Sequence, residues 1–110
     1  MDRSDRQNPQ AALELLILKT LAAGPNHGFG IASHIDEASS ALLRVEEGSL
    51  YPALHRLDKA GLIDAEWTVT PNGRRARMYQ LTKAGRKRLK EIEESWTTMA
   101  EGVRRVLRWA

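Results

Sequence analysis

The histidines and the serine nucleophile candidate are poorly spaced for catalysis or metal binding. The chain has three histidines, His27, His34 and His55, and no cysteine. Thiolate metal sites, disulfides and cysteine nucleophiles are therefore excluded, and no HExxH-type pair sets two imidazoles on one helix face. His34 and Asp36 lie two residues apart, a spacing that points them to different sides of a helix. Ser49 stands in Glu-Gly-Ser-Leu-Tyr, which lacks the second glycine of a hydrolase nucleophile elbow. No glycine-rich phosphate loop is present. These residues predict no metal, no cofactor and no enzyme. Cationic chemistry is better represented: Arg74, Arg75 and Arg77 flank an Asn72-Gly73 turn, and Lys83, Arg86, Lys87, Arg88 and Lys90 follow closely. Guanidinium groups on a loop tip do little for packing but suit phosphate and nucleic-acid edges.

The elements that position these groups belong to a small domain. The chain has 110 residues, 42% hydrophobic and 28% charged, with a net charge of +3. That composition fits one folded unit. The longest apolar run, Leu15-Leu16-Ile17-Leu18, is far short of the roughly 20 residues of a membrane span. Residues 1–10 are polar, mixed in charge and unlike a secretion signal, so they read as a flexible arm on a cytoplasmic protein. The basic excess is concentrated late: residues 81–110 hold eight basic and four acidic side chains. A run of this kind is by itself as compatible with a solvated face as with a nucleic-acid surface.

Periodicity places three helices first. Residues 11–23 are strong helix formers, with Leu13, Leu15, Leu16, Ile17, Leu18, Leu21 and Ala22 covering most of the circumference. So much apolar surface predicts cover by a second subunit as well as by the chain's own core. Gly24-Pro25-Asn26 ends this helix. A second helix over 28–39 carries an inward stripe of Ile31, Ile35 and Ala38, and 44–45 is a candidate two-residue strand. A third helix, from 47 or 48 to 60, turns Leu50, Leu54 and Leu57 inward. Pro52 fits only its first turn, unless it kinks the helix.

After Gly61 the period changes to two. Ile63, Ala65, Trp67 and Val69 alternate with polar residues, Thr70-Pro71-Asn72-Gly73 makes a turn, and residues 76–81 return, giving a hairpin with Trp67 in its core. Thr82 is an N-cap for a long last helix, over 83–108. Its seam runs Gly85, Leu89, Ile92, Trp96, Met99, Val103, Val106, Ala110, at alternating spacings of four and three. That heptad pattern predicts a dimer interface through Leu89, Ile92, Trp96, Met99, Val103 and Val106. Gly85 and Gly102 lower helix propensity there.

The predicted fold class is α+β, mostly α: a winged helix-turn-helix over 11–82, preceded by the arm at 1–10 and followed by a dimerisation helix over 83–110. In this architecture the third helix enters a DNA major groove and the hairpin is the wing.

The sequence also resembles the PadR-like transcriptional regulators. The resemblance covers about residues 11–100. It rests on Leu15-Leu16-Ile17-Leu18, on His27-Gly28-Phe29-Gly30-Ile31, on Gly48-Ser49-Leu50-Tyr51-Pro52-Ala53-Leu54-His55-Arg56-Leu57, on Gly61-Leu62-Ile63, and on the stretch from Gly73 through Arg77 and Tyr79 to Thr82, with Gly85 after it. Phe29 departs from the family's usual tyrosine, which removes a hydroxyl there. The short tail after Thr82 is similar to the family's compact branch, without a separate C-terminal domain. The resemblance implies a homodimeric DNA-binding regulator, usually a repressor, on a pseudo-palindromic operator.

The expected DNA-binding residues are Ser49, Tyr51, Pro52, His55, Arg56, Arg74, Arg75 and Arg77. Ser49, Tyr51 and Pro52 start the third helix, where the helix dipole favours phosphate. Tyr51 is a phosphate or sugar contact, or else packs on the second helix. His55 and Arg56 follow one turn later. His27 either contacts DNA or fixes the turn between the first two helices, the latter being favoured. Lys19 is a charge on the first helix that touches DNA or is simply exposed. In the family's drug-sensing branch, an aromatic residue of the last helix faces the dimer centre and stacks on flat ligands. Trp96 matches that position. The resemblance therefore implies a flat aromatic effector held by Leu15, Leu18, Ile92, Trp96 and Met99. The alternative is an ordinary interface anchor. The partners expected are thus a double-stranded DNA operator, a second copy and a small-molecule effector, with no membrane. The competing functions are a winged-helix protein-interaction module and a small-molecule-binding dimer without a main DNA role.

Overall fold

The computed structural model describes residues 9–109. In chain order the elements are α1 (Pro9–Ala22), β1 (Asn26–His27), α2 (Gly28–Ala38), α3 (Glu47–Lys59), β2 (Ile63–Val69), β3 (Arg75–Leu81) and α4 (Lys83–Trp109). The strands form one antiparallel sheet in the order β1-β3-β2. The architecture is the expected α+β, mostly helical winged helix-turn-helix with a long last helix. Helix is already present at Pro9 and Gln10, inside the segment predicted as an arm; the rest of that arm, and Ala110 of the predicted seam, lie outside the described residues.

One short strand is placed differently from expectation. Residues 44–45 are not a strand; the two-residue strand is Asn26–His27, paired with Tyr79 and Met78 of β3. β3 has a second edge whose N–H and C=O groups need partners, and the turn leaving α1 passes along it. This strand leads straight into α2. His27 is the N-cap of α2: its Nδ1 accepts a hydrogen bond from the Gly30 backbone N–H at 3.0 Å. The preceding Asn26 Oδ1 accepts from His27 N–H at 2.9 Å. His27 is therefore the structural histidine of the α1–α2 turn, and it satisfies one of the donors that a helix start leaves unpaired.

The core gathers one stripe from each element. Ile17, Leu18 and Leu21 of α1, Ile31 and Ile35 of α2, and Leu50, Ala53, Leu54 and Leu57 of α3 are buried together with Ile63, Tyr79, Leu89 and Ile92. Ala38, predicted to face inward, is exposed, because α2 ends there and the chain turns away through Ser40 and Ala41, both at positive φ. α1 is the central helix, covered by α2, α3, α4 and β3. Its own chain therefore buries most of the apolar circumference, leaving Leu13, Leu15 and Leu16 partly exposed.

The first half of α4 belongs to this core. Thr82 caps it as expected: its Oγ1 accepts from Gly85 N–H at 3.0 Å and donates to the Gly61 carbonyl at 2.7 Å. A Cβ at Gly85 would run into the Leu62 carbonyl oxygen and lie 2.7 Å from Leu81 Cδ1. The glycine that weakens the helix locally is what lets α4 approach the hairpin base. Leu89 and Ile92 are buried within the chain, so they are not available as dimer-interface residues. The seam open to a partner starts at Trp96 and Met99, which are partly buried, and continues through Val103 and Val106, which are exposed with Leu107 and Trp109. Lys19 is exposed and ion-paired with Glu93 of α4 at 3.0 Å.

Candidate nucleic-acid interface

The residues expected to meet DNA lie on α3 and the β2–β3 hairpin. Leu50, Leu54 and Leu57 hold one side of α3 in the core, which leaves Ser49, Tyr51, Pro52, His55 and Arg56 exposed. Pro52 is the sixth residue of the helix rather than part of its first turn. Its missing N–H leaves the exposed Gly48 carbonyl without its usual helix donor. The start of α3 is less favourable to phosphate than its dipole suggests. Glu46 is the N-cap and Glu47 lies in the first turn, so the helix is preceded and entered by carboxylates. The cationic groups sit further along, at Arg56 and Lys59 in the last turn.

Tyr51 packs on the second helix, and part of its surface stays open. Its ring lies on Gly28 at the start of α2, with Cε1 2.8 Å from the place a Cβ would occupy, yet the residue remains 47% exposed. Tyr79 of β3 is buried nearby. Burial raises the Tyr79 phenol above its ordinary value near 10, while the Arg77 charge pulls it down.

The hairpin's register decides where its arginines point. Val69 pairs with Arg75, Trp67 with Arg77 and Ala65 with Tyr79, so these side chains share the face that continues from the core. Burial falls along β2, from Ile63 at 0% to Trp67 at 59% exposed. Trp67 is thus not a core residue of the wing: the hairpin projects beyond the helices that would have to cover it. Its indole instead carries two guanidiniums, with Arg75 Cζ 4.7 Å and Arg77 Cζ 5.6 Å from the ring centroid. Arg77 also lies 5.9 Å from the Tyr79 ring and 3.7 Å from Asp58 Oδ2 on α3. Arg74, at the turn, has no ion pair among the described residues and is exposed.

A groove of about 470 Å³ separates α3 from the hairpin. Tyr51, His55 and Asp58 line one wall and Trp67, Arg75 and Arg77 the other, with His27 and Phe29 at the end formed by α2. Phe29 is exposed and stacks on His27, with ring centroids 6.5 Å apart. Ser49 lies away from this groove, in a separate depression with Leu13, Leu16 and Arg44. The structure therefore brings Tyr51, His55, Arg75 and Arg77 together and sets Ser49 apart. The participation of Trp67 and Asp58 was missed by sequence reasoning. The signal for both is the hairpin register, which sets Trp67 opposite Arg77 and Arg77 toward α3.

The residues expected to hold an effector do not form one surface. Leu18 and Ile92 are buried in the chain's own core, which leaves Leu15, Trp96 and Met99 partly exposed. Among the described residues, no group of three or more histidine, cysteine, aspartate or glutamate side chains is placed to hold a metal, and no helix is long and apolar enough to cross a membrane.

Comparison with known proteins gives this geometry a family. A family model described as the transcriptional regulator PadR-like family matches residues 17–91. The chain is 38% identical over 98 residues to the transcriptional regulator Rv3488 of Mycobacterium tuberculosis, covering 89% of this chain and 88% of the relative. Among solved structures, a PadR-like transcription factor from Bacteroides fragilis superimposes with a TM-score of 0.75 at 33% identity, over 96% of this chain and 99% of the other. A PadR-like transcriptional regulator from Bacillus cereus does so with a TM-score of 0.77 at 27% identity, over 92% and 96%. The family match spans most of the core, the groove and the first third of α4, and the chain belongs to the PadR-like family of transcriptional regulators.

Proposed function

We propose that this protein is a homodimeric, sequence-specific DNA-binding regulator that represses transcription in the cytoplasm. The observation that carries the reading is the convergence of α3 and the arginine-bearing hairpin on one groove. α3 would enter the major groove, with His55 and Arg56 at base edges or phosphates and Ser49, Tyr51 and Pro52 along the backbone. Arg74, Arg75 and Arg77 on the wing would face phosphates or the neighbouring minor groove. The winged-helix unit is built on 11–82, the first half of α4 completes its core, and the second half of α4 joins two copies. The exposed Val103, Val106, Leu107 and Trp109 support that pairing, since such a row of apolar groups on one helix needs cover. The two α3 helices would then lie about one DNA turn apart. Release by a flat aromatic effector at Leu15, Trp96 and Met99 between subunits completes the reading.

The test is selection from a random-sequence duplex library, followed by binding to the selected duplex across a salt series. A regulator of this kind enriches a two-fold-related sequence and loses affinity steeply with salt. No enrichment, with a stable dimer in the ultracentrifuge, would favour a protein-interaction module or a small-molecule-binding dimer instead.

A further inference from the structure

Trp67 is an exposed indole on a hairpin strand whose inner residues are buried. An indole left 59% exposed gains little from burial, so its contribution to folding is small. Two arginines converge on it, and two like charges that close repel each other. The ring offsets that repulsion with the negative face of its π-system and removes rotamer freedom from the guanidinium above it. The two arginines differ in what else they touch. Arg77 is held by Asp58 and Tyr79 as well. Among the described residues, Arg75 makes no ion pair and has Trp67 as its ring contact, to which it lies closer, at 4.7 Å.

We propose that Trp67 is a positioning residue that fixes the Arg75 guanidinium at the mouth of the α3–hairpin groove, so that Arg75 meets DNA already ordered. Trp67 acts through Arg75 and has no DNA contact of its own. The inference rests on the DNA-binding reading above. An arginine already restrained loses less conformational entropy on binding than a free one. The Arg75 charge, free of any ion pair among the described residues while Arg77 is shared with Asp58, suits the deep negative potential of a narrow minor groove.

The test is a double-mutant cycle on DNA binding, using the duplex selected by the wild-type protein. Trp67→Leu keeps apolar bulk and removes the π-face; it should weaken binding about two- to tenfold. Trp67→Phe should recover most of that loss. In an Arg75→Ala background, Trp67→Leu should change affinity less than twofold, because the group it positions is gone. A twofold or larger loss in that background, or no loss in the wild-type background, overturns the proposal. A readout without DNA accompanies it: the Arg75 side-chain protons should show an upfield ring-current displacement in NMR that Trp67→Leu abolishes, and its absence in the wild type also overturns the proposal. A wild-type protein that selects no duplex defeats the DNA-binding reading itself, and this one with it. A wild type that binds while the cycle is additive defeats only this one.

Discussion

The phenol ring of Tyr51 occupies the space in which residue 28 would carry a side chain. Gly28 is buried at the first position of α2, and Tyr51 Oη lies 2.9 Å from where its Cβ would stand. A residue facing the groove is thereby braced against the backbone of the neighbouring helix. Gly28→Ala should push the ring outward. A loss of about 1–3 kcal/mol in denaturant unfolding is expected, as for overpacking, together with a fall in DNA affinity. Tyr51→Phe in the Gly28 background keeps the packing and should leave the unfolding midpoint within about 0.5 kcal/mol.

The His27 cap is testable by substitution. His27→Ala removes the acceptor that holds Gly30 N–H and should cost about 1 kcal/mol in thermal or denaturant unfolding. His27→Asn supplies another cap acceptor and should recover most of it. Equal losses for both variants would mean that the ring's packing on Phe29, not the hydrogen bond, is what matters.

The turn after α2 stores backbone strain that glycine can relieve. Ala41 sits at φ 64° and is exposed, with its N–H bonded to the Asp36 carbonyl. Ala41→Gly should stabilise the fold by about 1 kcal/mol, since the left-handed region penalises a Cβ by roughly that amount. A destabilised variant would show instead that the added freedom of the unfolded chain outweighs the strain.

Alkaline unfolding should report on Tyr79. Its phenol is raised above the ordinary value near 10 by burial, so the folded state holds its proton more tightly than the unfolded state does. Stability is complete below pH 10 and falls as pH rises from there toward the folded value, because the unfolded chain ionises first. Tyr79→Phe should flatten that part of the stability–pH curve while leaving the neutral-pH fold intact. An unchanged alkaline slope would place the titration elsewhere.

Charge on the wing and apolar surface on α4 predict separable defects. Arg74→Ala with Arg75→Ala should weaken DNA binding and make its salt dependence shallower by about one unit of log–log slope per lost phosphate contact. Oligomeric state should be unaffected. Val106→Glu puts a charge on the exposed row of α4 and should shift the ultracentrifuge distribution toward monomer.

Period and punctuation alone determined much of this protein. The three stripes of Ile31/Ile35, Leu50/Leu54/Leu57 and Ile63/Ala65, the breakers at Gly24-Pro25 and Gly61, the cap at Thr82 and the arginines at the turn are local facts. Local facts set helix, strand and turn, and with them the winged-helix order. Tertiary structure decided which faces were used. Leu89 and Ile92 satisfy a heptad pattern, yet α4 spends its first three turns on its own core because Gly85 lets it approach Leu62. The spacing is the same whether the partner is one's own core or another chain. The hairpin makes the same point. A two-residue turn at Asn72-Gly73 would pair Trp67 with Met78. The actual loop closes through Thr70 N–H to the Arg74 carbonyl and pairs Trp67 with Arg77. A shift of one residue sends every side chain to the opposite face. The arginine–tryptophan cluster in the groove therefore depends on loop geometry that residue types permit but do not dictate.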